Sequence, residues 1–238
     1  MAGSIASGSG GKSSAAGRGR RRDGVELAVA YGLILAVVWT PRPWQRVLWW
    51  VAVAAVAILT AASFDGLRAM GLRRANFFRS LWVVGMALAM AAIAVTLAGG
   101  LHTLHLPAGG PIGLIANYWA YALWACVQQF LLQCFFLSRL LRLLPNAKAA
   151  ALAASAVFAA AHLPNPILTP ITFVWGLFAC LVFIRYRNLY PLALAHAILG
   201  IAIAITVPGA VDHNMRVGLG YLTYGHRIHP AHPASTQP

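Results

Sequence analysis

Residues 124–141 read WACVQQFLLQCFFLSRLL, an apolar run long enough to cross a bilayer that nevertheless carries Gln128, Gln129 and Gln133. A helix needs roughly 20 apolar residues to span about 30 Å of hydrocarbon. Amides are costly there unless something hydrogen-bonds them, so three within six positions mark either helix–helix contacts or an internal polar site. Working outward, the same apolar character continues. Of 238 residues, 60% are hydrophobic and 9% charged, and the mean hydropathy is +0.72. That excludes a soluble globular domain and predicts an all-α fold: a polytopic transmembrane helical bundle, with the backbone satisfied inside each span.

Apolar segments at about 25–40, 46–63, 80–98, 112–138, 147–163, 168–185 and 189–207 predict about seven membrane-spanning helices. Asn146, after Pro145, is placed to cap the fifth. The chain then divides into a disordered basic N-terminal tail (1–24), a transmembrane bundle (25–207) and a C-terminal tail (208–238). Residues 1–24 are rich in Gly, Ser, Ala and Arg and end in GRGRRRD. No small-residue cleavage site follows the first apolar run, so it is expected to remain as a helix and not to be a signal peptide.

Eighteen Lys and Arg against four acids give a net charge of +14. In a soluble protein this balance would suggest nucleic acid. Here the cations concentrate in alternate loops: 14 fall in the tail, 64–79, 138–148 and 185–188, and four elsewhere. The positive-inside rule accounts for that asymmetry and places the N-terminus in the cytoplasm. No nucleic-acid partner is expected; the lipid bilayer is. Cys126, Cys134 and Cys180 lie within spans with neither disulfide nor metal spacing.

Beyond the glutamines, the costly residues inside the spans are His162 in AVFAAAHLPNP and His196 in LALAHAILG. Each alone could simply bond a neighbouring helix. Five polar groups on three successive apolar segments point instead to one shared internal site. Two histidines fall short of the three protein ligands a catalytic zinc takes, so neither metal nor cofactor is expected. His102 and His105 fall in an outer loop, and His213, His226, His229 and His232 in the tail.

QQFLLQ (128–133), FAAAH (158–162) and HAILG (196–200) keep an order and spacing that resemble the CPBP intramembrane protease family. That family comprises the CAAX prenyl endopeptidases, bacteriocin-processing enzymes and abortive-infection proteins. Its motifs read Glu-Glu-x-x-x-Arg, Phe-x-x-x-His and His-x-x-x-Asn/Asp. The flanking GLRRANFFRSLWVVG (71–85) and WGLFACLVFIRYRNLYPLALAHA (175–197) are similar to family segments as well, so the resemblance covers about 64–205. It implies a CAAX-type intramembrane endopeptidase in a bacterial inner membrane, with Gln128, Gln129, Gln133, His162 and His196 at the catalytic positions.

The departures are chemical. Glutamines stand where the resemblance implies two glutamates and an arginine, and Gly200 stands where it implies Asn or Asp. An amide cannot take a proton from water as a general base. Asp23, Glu26, Asp65 and Asp212 are the only acids in the chain, and none falls inside a motif segment. The expectation is a catalytically impaired member that binds a membrane-bound or lipidated peptide or protein. The alternative is an active endopeptidase with a histidine-centred site. A solute transporter is disfavoured by the lack of an inverted repeat.

Overall fold

A computed structural model describes residues 9–64 and 66–224, and its described elements are all helical. The N-terminal residues 1–8, Asp65 and the tail histidines His226, His229 and His232 lie outside the described residues. In chain order the helices are α1 (Ser9–Trp39), α2 (Trp44–Ala62), α3 (Phe77–Ser80), α4 (Trp82–Gly100) and α5 (Gly110–Phe130). A π-helical run, Leu131–Leu137, links α5 to α6 (Ser138–Leu143). Then come α7 (Ala147–Ala160), α8 (Leu168–Tyr186), α9 (Tyr190–Thr206), α10 (Gly209–Asp212) and α11 (Gly218–Leu222).

Every segment expected to span coincides with a helix, but length and apolarity grade them differently. Four are long and apolar enough to cross a membrane: Trp44–Ala62, Phe77–Gly100, Gly110–Leu143 and Leu168–Tyr186. The apolar α7 and α9 are shorter, at 14 and 17 residues. The boundary drawn at residue 24 does not meet a helix end, because α1 runs unbroken from Ser9 through the arginines to Trp39.

Local chemistry sets the helix limits. Asn146 caps α7, its side-chain oxygen accepting the Ala149 N–H at 2.8 Å. Pro111 and Pro191 stand in the first turns of α5 and α9, where a missing N–H costs nothing. Between α8 and α9 the chain turns sharply at Arg187, and Asn188 fixes the turn by donating to the carbonyls of Arg73 and Ala75. Gly71, with φ +70°, lies so close to Phe183 that a Cβ there would sit 2.6 Å from the ring. This is the physical role of the Gly-Leu-Arg segment: it latches the loop before α3 onto the α8–α9 turn.

The packing follows from small residues. Buried Ala150, Ala151, Ala154 and Ser155 on α7 let α8 approach closely. A Cβ at Gly176 would stand 3.3 Å from Ser155. Helix α9 packs against both α4 and α5, and α7 pairs with α8. Leu88, Ile93, Leu97, Ile115, Trp119 and Leu123 on α4 and α5 point outward. That apolar exterior suits lipid and not water.

Candidate functional site

The three motif helices converge on one cavity of about 660 Å³, and Gln128, His162 and His196 all line it. Gln128 is half-buried at its wall, whereas Gln129 and Gln133 are fully buried behind it. The π-helical run begins two residues after Gln129, so Gln133 lies within it. π-Turns inside helices are frequent at functional sites.

Gln129 and Gln133 form a directed chain. The Gln133 amide N–H donates to the Gln129 carbonyl oxygen at 3.3 Å, and the Gln129 amide nitrogen stands 3.1 Å from His196 Nδ1. An amide nitrogen can only donate. In this amide orientation His196 Nδ1 is the acceptor, which places the imidazole proton on Nε2. A glutamate at 129 would reverse this bond, drawing the proton to Nδ1 and leaving Nε2 as a lone pair. The amide thus changes the chemistry of the imidazole as well as its own.

His162 has the opposite polarity. Its Nδ1 lies 2.7 Å from the Phe158 carbonyl, which can only accept, so Nδ1 carries the proton and Nε2 keeps the lone pair. His162 lies just past the end of α7, so its imidazole takes up a carbonyl of the helix's last turn. The Phe158 ring packs on both imidazoles, with centroids 4.9 Å from His162 and 6.0 Å from His196. One aromatic side chain holds the two histidines together.

Gly200 also acquires a reason. A Cβ there would overlap the Tyr121 hydroxyl oxygen, so the phenol of α5 fills the place a side chain at 200 would take. Tyr121 lines the cavity with Gln128, two helical turns away on the same face.

Two acids with no place in the motifs hold the frame. Glu26 bonds Arg139 Nε at 2.8 Å and Arg22 at 2.7 Å, and Asp23 grips Arg142 through both oxygens. These carboxylates are consumed by ion pairs that tie α1 to α6. Asp212 is different, and sequence reasoning missed it. Although it lies beyond the last long helix, it is 1% exposed and lines the same cavity as the motif residues. Asn165, in the turn after His162, brings it there by donating from its side-chain amide to the carbonyls of Asp212 and Arg216. Its own carbonyl oxygen accepts the Ile167 and Leu168 N–H groups at the start of α8. The only sequence signal was the rarity of acids in this chain.

Among the described residues no three His, Cys, Asp or Glu side chains come close enough to hold a metal ion. No curated protein and no solved structure matches the chain. Residues 111–202 match the family model described as type II CAAX prenyl endopeptidase Rce1-like, a span that holds all three motifs. With that match the resemblance carried by 128–133, 158–162 and 196–200 stands, and over this segment the chain is similar to the CAAX prenyl endopeptidases of the CPBP family.

Proposed function

We propose that this integral membrane protein of CAAX-protease type uses its cavity to bind a membrane-bound or lipidated peptide, and that its peptidase chemistry is impaired. The observation that supports the reading is the Gln133–Gln129–His196 chain. It links both buried amides to His196 and makes its Nε2 a donor, while no carboxylate hydrogen-bonds either imidazole among the described residues. Water attacking a peptide carbonyl must lose a proton, and a positioned base contributes roughly 10²–10⁴-fold. Gln128 cannot take that proton. In this proposal the seven apolar segments span a bacterial inner membrane, with the N-terminus cytoplasmic.

A second reading draws on the imidazole polarities. His162 Nε2 has a lone pair to accept a proton and His196 Nε2–H can donate to an oxyanion, which together sketch a histidine-centred peptidase. A peptidase and photocrosslinking assay with a farnesylated peptide separates the two. The native protein should crosslink within the cavity with turnover at background. The Gln128→Glu, Gln129→Glu, Gln133→Arg triple variant should gain activity. Robust native turnover abolished by His162→Ala would establish the histidine-centred enzyme instead.

A further inference from the structure

Among the described residues lining the cavity, Asp212 is the only Asp, Glu, Lys or Arg. Its Oδ1 accepts the Asn214 N–H at 2.9 Å, closing the turn that follows α10. Its Oδ2 is buried and has no hydrogen-bond partner among the described residues. No cation pairs with it either: the three ion pairs among the described residues use Asp23 and Glu26. His213 beside Asp212 draws its pKa down electrostatically but forms no ion pair with it. His213 stacks on Tyr221 and Tyr224, and the Arg216 guanidinium lies 5.2 Å from the Tyr224 ring. Burial pushes the Asp212 carboxyl above its ordinary 3.8, against the pull of the Asn214 and Met215 amides.

A role confined to closing the turn would use Oδ1 alone. A buried carboxylate oxygen left without donor or counter-ion is destabilising unless something completes it. The rest of the wall says what that would be. Tyr31, Tyr121, Trp124, Phe136, Phe158 and Trp175 surround the space with aromatic rings, whose faces attract cations. A single anionic group inside such a wall favours a positive charge and repels a free carboxylate.

We propose that the cavity binds an apolar ligand carrying an ammonium group, with the Asp212 carboxylate as its counter-charge and the aromatic wall holding its hydrocarbon. The proposal deepens the reading of this cavity as a binding site and rests on that reading, but not on the state of its peptidase chemistry. Two sources share this chemistry: a membrane amphiphile with an amine head, and the free amino-terminus of an apolar peptide.

The test uses the full chain in lipid nanodiscs, following emission from the lining Trp124 and Trp175 during titration with dodecylamine, dodecanol and dodecanoate at neutral pH. The amine is expected to bind at least tenfold more tightly than the alcohol, and dodecanoate more weakly than either. Asp212→Asn should abolish the amine's advantage while leaving the alcohol unchanged. An apolar peptide with a free amino-terminus, compared with its acetylated form as a competitor of dodecylamine, distinguishes the sources. Competition by the free peptide alone identifies a peptide amine, and competition by neither identifies the amphiphile. Equal affinity of amine and alcohol for the native protein overturns the proposal, whatever the folding of the variant, and so does an undiminished preference in Asp212→Asn. Failure of the farnesylated peptide to crosslink, with the amine preference intact, would count against the peptide reading and leave this one standing.

Discussion

At position 129 one heavy-atom change, oxygen to nitrogen, sets the direction of a buried hydrogen bond and with it the tautomer of His196. The same change decides whether position 133 can carry an arginine. With an amide at 129, Gln133 donates to Gln129 and the cluster stays neutral. A carboxylate there would be a fully buried charge needing a cation. Gln129→Glu alone is therefore expected to destabilise the protein by several kcal/mol, on the order of the 3–5 kcal/mol seen when a buried ion pair loses one member. Adding Gln133→Arg should recover most of that loss. Thermal unfolding of the two single variants and the double variant forms a cycle that measures the coupling. Additive destabilisation, with no recovery in the double variant, would show that 129 and 133 do not act as one unit.

At the scale of elements, α5 and α9 are fitted to each other through Tyr121 and Gly200. The glycine is there for space, since its helical backbone needs no special conformation and any side chain would meet the phenol. Gly200→Asn, which restores the family's residue type, is expected to cost about 1–3 kcal/mol through overpacking. Tyr121→Ala combined with Gly200→Asn should be more stable than Gly200→Asn alone, because the ring that blocks the new side chain is gone. Chemical denaturation in detergent would report both. If Gly200→Asn unfolded like the native protein, the α5–α9 contact would have to be looser than the structure has it.

At the scale of the molecule, α1 and the segment after α9 both close on the motif core. The ion pairs Glu26–Arg139 and Asp23–Arg142 fasten α1 to α6. The segment after α9 folds back until the Gly218 N–H bonds the Leu163 carbonyl, and a Cβ at Gly218 would press against Val38 of α1. The cavity is accordingly walled by α1 and the C-terminal segment as well as by the motif helices. The proposed seven spans make a definite demand on this arrangement. Reporters fused after residues 75, 105, 143 and 220 should read inside, outside, inside and outside in turn, following the basic loops. An inside reading at 220 would mean that α7 or α9, the two short apolar helices, fails to cross.

Hydropathy and charge in the sequence were enough to identify an all-helical membrane protein, because a bilayer lets only a few backbone solutions stand and long apolar runs declare one of them. A local signal was likewise readable: Asn146 caps α7 from a position the sequence marks. What the linear order could not show is how residues far apart in the chain meet. Asp212 lies fifty residues from His162, and a hydrogen-bonded Asn165 brings the two to one cavity. Tyr121 fills the gap at Gly200 only because α5 packs on α9. Asp23 and Glu26 find their arginines on α6, more than a hundred residues away. Such contacts are set by the packing of side chains across helices, where small shifts in register decide which polar atoms meet, and only the folded molecule fixes that register.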